Sequence, residues 1–224
     1  MPKSSLHRLL CSLGCIALFS GCHKDSSADT GSPIPAGLAR IADCTAEAPG
    51  ADELGARPET FNQLSGELDN LKWACGRGWI AADIGTVWEG LREPQVMVNN
   101  RDVAEYTVTV DEDPAFDYGW TLHNVVHDVI TVEFDVQWDQ GVVEGSLDAP
   151  EQVSARFSKT DGTPFIELME GHIWLTATDD YTLVEEYQQM KAAQDPAEQI
   201  AQFEQDIFAE LLAWGHGEPL PEFN

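Results

Sequence analysis

From Ile130 to Trp138 apolar and polar residues alternate without a break. Ile130, Val132, Phe134, Val136 and Trp138 fall on one side of an extended chain, and Thr131, Glu133, Asp135 and Gln137 on the other. A period of two is incompatible with a helix. One buried face and one wet face is the mark of an antiparallel sheet. The period returns in 104–110, where Ala104, Tyr106, Val108 and Val110 oppose Glu105, Thr107 and Thr109. Further strands are expected near 73–82, 119–127, 151–159, 165–177 and 181–191. Turn residues at 111–114, 160–163 and Asp179-Asp180 separate several of them.

Three segments have a helical period instead. Phe61, Leu64, Leu68 and Leu71 recur at spacings of three and four, which predicts a helical extension over 37–71. Asp83 is placed to cap a short helix over 84–93, with Val87, Trp88 and Leu91 on one face and Pro94 at its end. Asp195, Pro196 and Glu198 fit the cap, first and third positions of a long C-terminal helix. Ile200, Phe203, Ile207, Leu211 and Trp214 form its apolar stripe, and Gly215 closes it. That stripe needs a partner, and the sheet is the only large one. The expected class is α+β: an antiparallel sheet against a long C-terminal helix.

The first residues read as an address. Lys3 and Arg8 precede an apolar run from Leu9 to Phe19. Eleven residues are too few to span a bilayer, which takes about 20, but they suit the core of a signal peptide. The run ends in Phe19-Ser20-Gly21-Cys22, which resembles the bacterial lipobox with Phe in place of the usual Leu. The resemblance implies cleavage after residue 21 and lipid on Cys22. Cys15 is a weaker alternative, and an ordinary cleaved signal with incidental cysteines is another reading. The implied location is the bacterial cell envelope, on the outer membrane facing the periplasm or the exterior, because no Asp follows the Cys. Residues 22–36 then form a polar, Pro- and Gly-rich tether. Loss of Cys11 and Cys15 with the signal leaves Cys44 and Cys75 as an even pair in an oxidising compartment. A bridge between them would close a loop worth roughly 3–4 kcal/mol; two reduced buried thiols are the alternative.

Charge excludes some partners. Lys and Arg number 12 against 39 Asp and Glu. Residues 1–21 hold two of the basic groups and no acid, so the remainder carries ten against 39, a net −29. Such a surface repels phosphate backbones and anionic headgroups, which argues against nucleic-acid binding. Attachment to a membrane then rests on the lipid of Cys22.

The order of elements carries a second resemblance. Residues 78–94, an apolar strand, a small turn, Val87-Trp88, Leu91 and Pro94, are similar to the opening of the START-like superfamily, shared with polyketide cyclases and lipid-transfer domains. Residues 171–187 resemble its last hairpin, which runs into the long helix. The resemblance covers about 72–214 and leaves 37–71 unaccounted for. It implies a curved sheet gripping the helix around an apolar cavity, the helix-grip fold. Phe134, Trp138, Phe157, Trp174, Phe203, Ile207 and Leu211 would line that cavity, although core packing alone also accounts for each. The expected divisions are a signal (1–21), a tether (22–36), a helical extension (37–71), the START-like domain (72–215) and a tail (216–224).

Catalytic signatures are sparse. There is no nucleophile elbow, phosphate loop, dinucleotide fingerprint or metalloprotease helix, and no cofactor is implied. His123 and His127 share a strand face about 13 Å apart, too far to hold one ion. His172 could serve as a general base in a cavity, though a satisfied strand histidine is the plainer reading. Glu185 and Glu186 point to opposite faces and make no dyad. The expected function is hydrophobic-ligand or lipid binding by an anchored lipoprotein. A solidly packed interaction module and a cyclase-like or hydrolase-like enzyme are the alternatives, and no protein partner is identified.

Overall fold

The computed structural model describes residues 34–98, 103–112, 114–127 and 131–223. The signal-like segment, Cys22 and Ile130 lie outside them. Eight strands form one antiparallel sheet: β1 (Phe61–Leu68), β2 (Leu71–Ile80), β3 (Glu105–Val110), β4 (Tyr118–His127), β5 (Thr131–Ser146), β6 (Ala149–Gly162), β7 (Ile166–Ala177) and β8 (Thr182–Ala192). Their order is β1-β2-β8-β7-β6-β5-β4-β3. Strands β3 to β8 are therefore a simple meander, and β2 joins its last strand. Between β2 and β3 come α1 (Ile84–Leu91) and α2 (Pro94–Met97); α3 (Ala197–Gly215) follows β8. The sheet and the long final helix are the helix-grip fold.

The cap expected at Asp83 is present. Thr86 N donates to Asp83 Oδ1 at 3.0 Å and Thr86 Oγ1 to Oδ2 at 2.6 Å. Those bonds hold the Asp83 carboxyl below its ordinary range. Pro94 opens α2 rather than simply ending α1. The cap residue of α3 is Pro196 rather than Asp195, and the helix begins at Ala197, one residue later than expected; Asp195 Oδ1 still accepts from Ala197 N at 3.0 Å.

The helical extension over 37–71 is not formed. Apart from one 3₁₀ turn at Ala36–Leu38, residues 36–60 carry no helix, and 61–68 is strand β1. The physical cause is a two-residue hairpin turn: Asp69 and Asn70 both adopt positive φ, 52° and 64°, with Leu68 paired to Leu71. Two left-handed central residues make the turn whose twist matches the strands. The leucine spacing mimics a helix, but Leu64 and Leu68 are exposed on the strand. The inward ring is Phe61, stacked on Phe208 of α3 at 4.9 Å between centroids. Strand β3 also departs from expectation. It is an edge strand whose Tyr106 and Val110 are exposed, and Val108 alone of its apolar set packs on the core.

Residues 36–58 cross the sheet face opposite α3 as a strap. Ser154 Oγ donates to Leu38 O and Arg156 Nη1 to Ala39 O, both at 2.7 Å. Arg40 lies 3.7 Å over the Trp174 ring, and Arg57 lies the same distance over Trp79. Trp79 Nε1 donates to Pro49 O at 2.9 Å. The Cys44–Cys75 disulfide fastens the strap to β2, with Cα atoms 5.5 Å apart. Both faces of the central strands are thus covered.

Candidate functional site

Between the helix-facing side of the sheet and the N-terminal half of α3 lies a cavity of about 400 Å³. The pairing register builds its floor. Trp120, Trp138, Phe157, Gly171 and Gln188 are consecutive cross-strand partners from β4 to β8. Trp138 and Phe157 have ring centroids 4.6 Å apart, and Phe203 of α3 approaches Phe157 from above at 6.3 Å. Gly171 makes this row possible, because a Cβ there would overlap the Phe157 ring. Exposed His127, Phe165, Gln194 and Gln199 line the other end, which marks it as the mouth.

The expected lining residues separate into three groups. Phe134, Trp138, Phe157 and Phe203 all line the cavity. Ile207 and Leu211 do not. They sit one and two turns farther along α3, in the filled half of the core, where Leu211 meets Gly90 of α1. Trp174 lies on the opposite face, under Arg40, with Nε1 donating to Gln152 Oε1 at 3.1 Å. Its parity along β7 is the reason: Gly171, Ile173 and Leu175 face the helix, so His172 and Trp174 face the strap.

His172 is therefore no general base in the cavity. It is fully buried beneath the strap, and Ile41 N donates to its Nδ1 at 3.3 Å. Burial lowers its pKa, with Glu185 acting in the opposite sense. Glu185 accepts from Arg40 Nε at 2.6 Å and Arg77 Nε at 2.7 Å. His172 Nε2 stands 3.8 Å from Glu185 Oε1, an ion-pair rather than a hydrogen-bond distance. Burial pushes the Glu185 carboxyl up, but its basic neighbours His172, Arg40 and Arg77 outweigh this and hold it at about 2. This cluster clamps the strap. His123 is occupied by Asp135, Nδ1 to Oδ1 at 2.6 Å.

Residues not expected at the site include Leu122 and Asn124 of β4, Met169 of β7 and Gln188 and Met190 of β8. Gln188 follows from parity alone: Val184, Glu186, Gln188 and Met190 share a face. Glu186 and Glu204 of α3 lie buried beside it. Burial first, and then the charge of Glu204, pushes the Glu186 carboxyl well up. Burial pushes Glu204 to about 8, although Gln63 Nε2 donates to its Oε2 at 2.8 Å. Both carboxyls lie between sheet and helix and are displaced upward by burial.

A second depression, about 510 Å³, lies between α1 and the β5–β6 turn. Asp83, Glu89, Arg92, Asp117 and Asp148 line it, which makes it a charged surface groove away from the aromatic row. Among the described residues no His, Cys, Asp or Glu group is arranged to hold a metal, and no helix is long and apolar enough to cross a membrane.

No protein-family model and no curated protein sequence matches the chain. Solved structures do align. A Thermus thermophilus protein is 13% identical, with 64% of this chain on 93% of that one and a TM-score of 0.44. The human StarD13 lipid transfer and protein localization domain is 11% identical, with 70% on 83% and a TM-score of 0.48. The protein Ara h 8.0201 is 10% identical, with 66% on 99% and a TM-score of 0.47. The likeness is confined to the fold.

Proposed function

We propose that this protein is an exported lipoprotein whose START-like domain binds a hydrophobic small molecule or lipid. The observation that carries the reading is the cavity. It opens at one end, it is floored by Trp138 and Phe157, and it is capped by Phe203. Apolar clefts of roughly 300–1,000 Å³ are the usual form of small-ligand sites. The anchor is supported by the charged and apolar N-terminus ending at Cys22, and by a net charge that keeps the domain off anionic headgroups. A solidly filled fold is disfavoured by the cavity. The enzyme reading loses His172 to the strap face.

Two measurements test the halves of this reading separately. Metabolic labelling with a palmitate analogue should tag the wild type and fail in Cys22→Ser; equal labelling would remove the anchor. Nile red should fluoresce on binding the wild type and fail to do so with Val132→Trp, which fills the cavity from β5. Equal fluorescence from both would remove the site.

A further inference from the structure

The chain has four methionines. Met1 lies outside the described residues, and the other three, Met97, Met169 and Met190, all line the aromatic-floored cavity. Two of them are neighbours. Met169 of β7 and Met190 of β8 stand directly opposite each other in the register, on the face turned to α3. Side chains paired in this way have Cβ atoms about 5 Å apart. The register also fixes where the pair stands. Two residues inward is the pair Gly171 and Gln188 of the floor row. Two residues outward along β8 is Ala192, followed by the exposed Ala193 and Gln194 of the mouth. At about 3.4 Å per residue, the pair is about 7 Å from either. It forms the neck between the mouth and the floor on the β7–β8 side. Met169 and Met190 are half-buried, whereas Met97, from α2, is 2% exposed.

A thioether is apolar, polarisable and flexible, which suits a wall that must fit an apolar body. It is also a group that peroxides oxidise. A sulfur lone pair bonds to one peroxide oxygen and the O–O bond breaks. The other oxygen takes up the proton of the first and leaves as water. Sulfur loses two electrons and the peroxide gains them. The product is a sulfoxide, polar and chiral in place of apolar. Among the described lining residues there is no Lys, Arg, Asp or Glu, and the floor is aromatic. Two sulfoxide dipoles at the neck therefore set polar groups against whatever apolar body fills the site, and a polar group covered by an apolar one costs free energy.

We infer that Met169 and Met190 are a paired oxidation site at the neck of the cavity, and that their conversion to sulfoxides by a peroxide weakens the binding of an apolar ligand. This deepens the proposed ligand site and rests on it. The test is hydrogen peroxide treatment of the full chain carrying Cys11→Ser, Cys15→Ser and Cys22→Ser, which leaves the Cys44–Cys75 bridge in place. Peptide masses follow each methionine, and Nile red titration follows the site. Met169 and Met190 should each gain one oxygen before Met97 does. The affinity for Nile red should fall about tenfold or more as they do. Reduction by the two methionine sulfoxide reductases, one for each epimer, should restore it. Met169→Leu with Met190→Leu conserves volume, and this variant, compared with itself, should keep its affinity through the treatment. Met97→Leu should lose affinity on treatment as its parent does. Oxidation of Met97 ahead of the pair, undiminished binding after both sulfoxides form, or an equal loss in the double Leu variant would overturn the inference and leave the ligand site standing. Absence of Nile red binding before treatment would overturn the site and the inference together. If the double variant does not fold, the order of oxidation and the recovery on reduction decide the matter in the parent chain.

Discussion

Glu185 and Glu186 are consecutive residues of β8 whose carboxyls are displaced in opposite directions, one held at about 2 and the other pushed well up. Strand parity alone separates them. Glu185 faces the strap between Arg40 and Arg77, and Glu186 faces α3 beside Glu204. The sheet is thus acid-sensitive on one face and base-sensitive on the other.

The sign of the pH dependence follows. A carboxyl raised in the folded state contributes stability below its unfolded pKa near 4.5, and that stability is lost as pH rises through its folded value. For Glu204 the window is about 4.5 to about 8. Glu204→Gln keeps an acceptor for Gln63 and removes the titration. It should melt above the wild type at pH 8.5 by about 4–8 °C, on the order of 2 kcal/mol, and the gap should close by pH 5. Thermal melts across that range check it. A constant gap would show that Glu204 does not titrate there. Glu185 acts at the other end, and its contribution fades as pH falls from about 4.5 towards about 2.

The Cys44–Cys75 bridge ties the strap to β2. Its removal by a double Ser substitution should cost about 3 kcal/mol in urea unfolding. Amide exchange should quicken first in the strap around Leu38–Pro49, before the meander β5–β8. Uniform quickening would show that the strap is no separate unit.

The β1–β2 turn supplies a sharper probe. Asn70 has φ of 64°, so Asn70→Val should destabilise by about 1–2 kcal/mol, whereas Asn70→Gly should be neutral or stabilising. Urea midpoints of the two variants check this. Equal midpoints would contradict the hairpin.

Much of this fold is written locally. The alternation Val132–Trp138 marks β5, Asp83 marks the start of α1, Asp195-Pro196 marks that of α3 to within a residue, and Cys44 and Cys75 are the one pair outside the signal-like segment and its end at Cys22. What could not be read has physical causes. Phe61, Leu64, Leu68 and Leu71 satisfy a helical period by coincidence, and only the Asp69-Asn70 pair betrays a hairpin. On β7 apolar residues occupy both parities, because the strap buries the face that a simple half-wet sheet leaves to solvent. Trp174 and His172 could therefore be assigned to either side. Gln188 is a polar residue on a core face, so it interrupts the apolar alternation that marks such a face in the sequence. Ile207 and Leu211 share a stripe with Phe203, and nothing local tells where along α3 the cavity ends.

The central claim is that the aromatic-floored cavity holds a ligand. Native mass spectrometry of the full chain carrying Cys22→Ser, incubated with an extract of its own cell envelope, tests it most directly. The account predicts one bound apolar species per chain, absent from Val132→Trp. No bound species on either protein, or the same species on both, would contradict it.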